Sequence, residues 1–365
     1  MNNNAIYSKW KMFHYHKELE ILKEKEYPAP RMIQMDIFNP CNHDCYFCVH
    51  RFHQNENFNK NFTLADSLKR EKVFEVIEDG IEMGVKSFVL SGGGEPTLHP
   101  DFLPIAEKIT DNFDMGLITN GCSRNNWIKK EKEMAEVVGK TTWVRFSING
   151  GSRFSYSKVH ATREEDFDVA LKSVKNVVEI GTSTVGISYV VNFWNYHEIS
   201  NFSKIASDLG VDYIRFKPVE GHGYPEHMDG KPLHEFWNGI TEQFDMAKKY
   251  QREDFAVFFF DERADHAERD FYDEDDVCYY SHLTVYVCAD MGLYPCCVKK
   301  YCEPGKMASI ENIRFKDAWY GQERKDFYKN FKLNKECNGG DCFLKPKNDM
   351  IKYMLMENPP HVNFV

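Results

Sequence analysis

Cys41-Asn42-His43-Asp44-Cys45-Tyr46-Phe47-Cys48 sets three cysteines within eight residues, directly behind the apolar run 32–38. Thiols this close together, in a chain whose first residues lack the apolar core of a signal peptide, point to a metal before a disulfide. Reducing compartments keep such thiols free for soft metals. Zinc asks for a closed set of four ligands, with His43 or His50 as the fourth. An iron–sulfur cube is normally held by four cysteines, so a cube held by three leaves one iron open to a small molecule. Both readings are open on this stretch alone.

Outward from the loop, short β-branched runs alternate with longer amphipathic stretches, the pattern of βα units around a parallel sheet. Strands are expected at 32–38, 86–91, 115–119, 143–148, 185–191 and 213–218, and helices at 67–83, 100–111, 127–138, 165–180 and 197–209. Within 165–180, Phe167, Ala170, Leu171, Val174 and Val177 recur at helical spacing and Gly181 marks the stop. Six such units predict an α/β fold, a partial (βα)6 TIM-like barrel, with an open doubly wound sheet as the alternative. Ligand groups gather at the carboxyl ends of strands in either architecture. There stand the cysteine loop, Gly92-Gly93-Gly94-Glu95-Pro96, Thr119-Asn120-Gly121-Cys122, Ser147-Ile148-Asn149, Asn192, and Arg215 with Lys217.

The chain has 365 residues, 42% of them hydrophobic, enough for a substantial core. A net charge of −10 argues against a general nucleic-acid binder. No apolar run approaches the roughly 20 residues that span a bilayer, so a cytoplasmic protein with no membrane partner is expected. Residues 1–30 read as an N-terminal helical cap, 31–222 as the barrel and 223–276 as a helical bridging segment with a helix over 232–250 and an acidic stretch over 261–276. Residues 277–365 read as a cysteine-rich C-terminal domain. Of eleven cysteines, three are early, seven are late and Cys122 stands alone, which suggests two metal sites; an odd total suits a disulfide framework poorly.

The spacing CxxxCxΦC, with Phe47 as the aromatic, resembles the hallmark of the radical S-adenosylmethionine (SAM) superfamily. That resemblance implies a [4Fe–4S] cluster on Cys41, Cys45 and Cys48, with SAM on the open iron cleaved to a 5′-deoxyadenosyl radical that abstracts hydrogen from substrate. The run Ser91 to Pro96 resembles the family's GGE element, implying that Gly93, Gly94 and Glu95 meet the SAM amino group. Ser147 and Asn149 resemble the segment that reaches the SAM ribose and carboxylate, although many relatives carry Asp where Asn149 stands. Phe47, Asn120, Asn192 and Arg215 are further expected to line this cofactor site.

Behind the barrel, Cys278 and the stretch Cys288-Ala-Asp-Met-Gly-Leu-Tyr-Pro-Cys296-Cys297 resemble the SPASM and twitch extensions of that family, which carry auxiliary [4Fe–4S] clusters. Counting from Gly292 favours Cys297 as the ligand and matching Tyr294-Pro295 favours Cys296; the reading leans to Cys296 with Cys297 as the alternative. Cys337 and Cys342 offer a closing pair, and the full SPASM cysteine run is absent, so one auxiliary cluster in a twitch-like domain is expected.

The resemblance therefore implies an enzyme served by an electron donor such as flavodoxin or ferredoxin. A small polar substrate (a sugar, aminocyclitol or nucleotide derivative) is expected over a peptide, with net oxidation as the outcome. The rivals are peptide maturation, epimerisation with Cys122 as hydrogen donor, and, outside the enzymes, a zinc-stabilised interaction protein.

Overall fold

The computed structural model describes residues 7–52, 60–219, 236–260, 272–337, 342 and 344–357. All six expected strands are present: β1 Met32–Asp36, β2 Ser87–Ser91, β3 Asp114–Thr119, β4 Trp143–Ser147, β5 Thr184–Val191 and β6 Tyr213–Pro218. Each pairs in parallel with its successor. Parallel pairing demands a crossover between strands, and helices supply it. They are α1 His16–Lys23 before the barrel, the short α2 Val49–Phe52, then α3 Arg70–Met83, α4 Phe102–Thr110, α5 Glu131–Gly139, α6 Arg153–His160, α7 Glu165–Ile180 and α8 Ile199–Leu209. In α7 the buried face is Phe167, Ala170, Val174 and Val177, and Gly181 ends the helix at φ 73°. The result is a partial TIM-like barrel with one continuous core running from Ile33 to Trp319.

The sheet is longer than six strands. β7 Ala256–Phe259 pairs in parallel with β6. The bridging segment expected to be helical thus also extends the barrel, after α9 Trp237–Ala247. The expected helix runs on through a 3-10 turn, Lys248–Tyr250, while its first residues, 232–235, and most of the acidic stretch 261–276 lie outside the described residues. At the opposite edge, β8 Thr284–Val287 lies parallel to β1, with Met32 opposite Thr284. It turns through β9 Gly292–Tyr294 to β10 Ala308–Ser309 as an antiparallel meander. One sheet therefore carries both the barrel and the cysteine-rich segment, in the order β10-β9-β8-β1-β2-β3-β4-β5-β6-β7.

The N-terminal segment packs on the C-terminal one: Met12, Leu19 and Leu22 form a small core with Leu283 and Ile351. Trp319, fully buried in the helix α10 Phe315–Tyr320, donates its indole N–H to the Pro28 carbonyl at 2.9 Å. Residues between Met12 and Pro28 are thus held by the cysteine-rich segment and the helices that follow it. No helix among the described residues is long and apolar enough to cross a membrane.

Candidate active site

Cys41, Cys45 and Cys48 are half-buried, form no disulfide and line a cavity of about 460 Å³ at the carboxyl ends of β1 to β5. The loop that carries them is tied down locally and from across the barrel. Cys48 N donates to Cys45 O at 3.0 Å, and Asp44 N to the His160 carbonyl at 3.0 Å. Asn42 accepts from Asn120 Nδ2 at 2.9 Å, while its own amide donates to Cys122 O at 3.3 Å. Phe47 lines the cavity and packs edge-on against Tyr46, ring centroids 5.5 Å apart.

The glycine run after β2 belongs to the same wall. A Cβ on Gly94 would fall onto the backbone oxygens of Asn39 and Pro40, the two residues that lead into Cys41. The close approach that glycine permits here is to the cysteine loop itself. Glu95 faces the cavity, 3% exposed, yet its carboxylate is engaged on every side. Oε1 accepts from Thr97 N at 3.0 Å, Thr97 Oγ1 at 2.6 Å and Thr119 Oγ1 at 2.6 Å, and Oε2 accepts from Asn120 N at 2.7 Å. Burial raises its pKa and these four donors oppose the shift. Glu95 therefore ties the ends of β2 and β3 together, where the sequence suggested a contact to SAM.

Ser147 and Asn149 also line the cavity. Asn149 Oδ1 accepts from Val190 N at 2.7 Å, bridging β4 to β5. Two expected site residues lie elsewhere. Asn192 is fully buried, its amide accepting from Trp194 N at 2.9 Å and donating to Val190 O at 3.0 Å, which closes its own turn. Arg215 is absent from the cavity wall and reaches it through Ser188, whose hydroxyl accepts from Nε at 3.2 Å. Burial lowers the Arg215 pKa to about 10.

Cys122 is 2% exposed and packed in the core, outside the cavity wall. Its Sγ donates to the Asp166 carbonyl at 3.1 Å and lies 3.3 Å from the Tyr156 hydroxyl; burial pushes the thiol up to about 12. It occupies the position of a small buried hydrophobe.

The C-terminal segment contributes to the cavity in a way the sequence did not announce. Cys297 and Lys300 line it. Lys300 Nζ donates to Asp36 Oδ2 at 2.7 Å and to Gly92 O at 3.3 Å. Tyr301 OH donates to Asn39 Oδ1 at 2.8 Å. Cys296 lines a second, mostly apolar pocket together with Cys278, Cys337 and Cys342. Tyr272 OH lies there, 3.5 Å from Cys342 Sγ.

Residues 35–205 match the model of the radical SAM superfamily. The chain carries a radical SAM domain. Over 227 residues it is 24% identical to a protein named "Probable GTP 3',8-cyclase" from Saccharolobus islandicus strain M.14.25, a span of 60% of this chain and 68% of that one. A protein of the same name from Methanococcus maripaludis strain C5 is 23% identical over 209 residues, 56% of this chain and 65% of that one. Among solved structures, Streptococcus suis SuiB bound to S-adenosylmethionine superposes with a TM-score of 0.63 at 17% identity, covering 93% of this chain and 78% of that one. The structure of anSMEcpe with bound AdoMet gives 0.57 at 16% identity, covering 85% and 86%. At these identities the structural likeness speaks for the fold.

The donor set suits the cofactors of a radical SAM domain, a [4Fe–4S] cluster and SAM. Tetrahedral zinc with bonds of about 2.3 Å to sulfur draws its ligands to within about 4 Å of one another. Among the described residues, the one set of three potential ligand atoms all within 4.8 Å is His43, Cys45 and His160. Cys41, Cys45 and Cys48 are spread more widely, as the broader face of a cube requires. Cys278, Cys296, Cys337 and Cys342 line one pocket, and four thiols are the number that an iron–sulfur cube normally takes. His160, Asp36 and Lys300 were missed in the sequence, and His43 was noted only as a possible zinc ligand. Lys300 had a faint signal in its place three residues after Cys297; His160 had none, being one polar residue at a helix end.

Proposed function

We propose that this protein is a radical SAM enzyme that oxidises a small polar substrate: a sugar, aminocyclitol or nucleotide derivative. The observation that carries the reading is the single cavity of about 460 Å³ shared by the three thiols, the Gly92 to Glu95 wall, Cys297 and Lys300. That volume lies within the range of small-molecule sites, roughly 300–1,000 Å³. When bound, the reduced cluster and SAM supply a 5′-deoxyadenosyl radical that takes a hydrogen atom from substrate.

In this reading Cys41, Cys45 and Cys48 hold the cluster. Phe47, Gly93, Asn120, Ser147 and Asn149 form the SAM wall, and the buried Lys300–Asp36 pair polarises the side of the cavity next to Cys297. Four-cysteine ligation at Cys278, Cys296, Cys337 and Cys342 leaves an auxiliary cluster no open iron, which suits electron transfer and hence net oxidation. Eleven cysteines with no disulfide among them suit a reducing cytoplasm and a flavodoxin- or ferredoxin-type donor. Relatives named for a GTP cyclase support a nucleotide-like substrate.

A peptide is the second reading, favoured by the similarity to SuiB, whose structure has been solved bound to the precursor peptide SuiA. The experiment is deuterium transfer into 5′-deoxyadenosine from labelled small molecules and labelled peptides in parallel. Transfer from a peptide alone overturns the small-molecule reading. Continued release of 5′-deoxyadenosine after joint replacement of Cys41, Cys45 and Cys48 with Ala overturns the enzyme class.

A further inference from the structure

We propose that His160 is a positioning residue that donates a hydrogen bond from Nδ1–H to the Cys45 thiolate and thereby raises the reduction potential of the cluster; this rests on the reading of Cys45 as a cluster ligand. Cys45 Sγ lies 3.2 Å from His160 Nδ1. The other ring nitrogen decides which way the hydrogen bond runs. Nε2 is 3.1 Å from the backbone nitrogen of Asn149, a group that can only donate. Nε2 is therefore the acceptor, the single proton of the neutral ring sits on Nδ1, and that N–H is aimed at sulfur.

The barrel holds this tautomer in place. Asn149 accepts from Val190 N at 2.7 Å through Oδ1 and from Asn195 Nδ2 at 3.0 Å through its carbonyl. On the far side, Asp44 N donates to the His160 carbonyl, so one residue at the end of α6 grips two consecutive residues of the cysteine loop. His160 is 1% exposed, and the rings of Tyr156 and His43 pack against it at 4.3 and 5.0 Å, which fixes the orientation of its imidazole.

Hydrogen bonds to the sulfurs are among the terms that set the potential of an iron–sulfur cluster. An N–H aimed at a ligating thiolate favours the more negative, reduced state. Neighbouring His43, with both nitrogens unpartnered, completes a compact set with Cys45 and His160 that would also suit a single metal ion. The experiment below separates that rival, in which His160 binds metal directly.

The test uses the anaerobically reconstituted full chain and follows the electron paramagnetic resonance signal that changes when SAM is added, which singles out the cluster on Cys41, Cys45 and Cys48. His160→Phe is expected to keep its iron and to shift the one-electron reduction equilibrium about tenfold toward the oxidised state, about 59 mV more negative. His160→Gln, whose amide retains an N–H, is expected to recover most of the shift. An unchanged potential in His160→Phe with full iron content overturns the proposal.

Should His160→Phe not fold, wild type carrying nitrogen-15 histidine is read by electron–nuclear double resonance. A weak nitrogen coupling that disappears in His160→Gln is expected. Its absence from wild type, its persistence in His160→Gln, or a strong coupling from a direct iron–nitrogen bond each overturns the proposal. A wild-type protein with no SAM-sensitive signal would instead sink the cluster reading itself.

Discussion

Lys300 and Asp36, 264 residues apart in sequence, form an ion pair of 2.7 Å with side chains 9% and 1% exposed. Asp36 ends the first barrel strand and Lys300 belongs to the cysteine-rich segment, so the pair locks the second region onto the floor of the first. Breaking one half of a buried pair strands the other charge. Lys300→Met is expected to destabilise the protein by about 3–5 kcal/mol, and Lys300→Met with Asp36→Asn to recover much of that. Denaturant unfolding of the two variants checks it.

Glu95 gathers four donors onto one carboxylate. In Glu95→Gln an NH2 group must face either the Asn120 N–H or the Thr97 and Thr119 donors, so at least one donor loses its acceptor. The expected loss is about 2–3 kcal/mol, with SAM affinity falling because the Asn120 loop loosens. Thermal unfolding and SAM binding, measured side by side, read both effects.

Cys296 and Cys297 face different pockets. With two four-iron clusters bound, iron is expected to fall from about eight to about four per chain in Cys296→Ala. In Cys297→Ala it should stay unchanged. Equal iron loss in both variants would contradict the assignment.

Cys122→Ala is expected to keep 5′-deoxyadenosine release and to lower stability by about 1–2 kcal/mol, the cost of a small buried void. Abolished turnover of substrate in a folded variant would return Cys122 to the list of hydrogen donors.

His282 gives stability a pH dependence. Its Nδ1 accepts from Arg324 at 3.1 Å between the rings of Tyr27 and Tyr328, and burial, with the nearby Arg324 charge, lowers its pKa from 6.5 to about 3. The unfolded chain therefore takes up a proton that the folded chain refuses. The stabilisation is complete above pH 6.5 and is lost as pH falls toward about 3, at a slope of up to about 1.4 kcal/mol per pH unit. Unfolding titrations of His282→Gln are expected to show that slope flattened.

The six barrel strands were legible because each is a short β-branched run closed by a polar strand end, and the triad because its spacing is tight. β7 was hidden: Ala256-Val-Phe-Phe259 is four residues long and sits among charged residues. The pairing of β8 with β1 was hidden for another reason, since periodicity identifies a strand but not the edge it joins. Within the site, local patterns found the residues on the cavity wall. Asn192 and Arg215 lie off that wall, hydrogen-bonded to Trp194, Val190 and Ser188, and His160 gave no local signal because its contact is 115 residues away in sequence.

The parallel pairing of β8 with β1 also limits how the chain can be cut. A protein truncated before residue 277 would expose the first barrel strand as a bare edge carrying unpaired N–H and C=O groups, a template for intermolecular strand addition. The cysteine-rich region is thus the guard on an edge that would otherwise aggregate, and the barrel cannot be prepared cleanly without it.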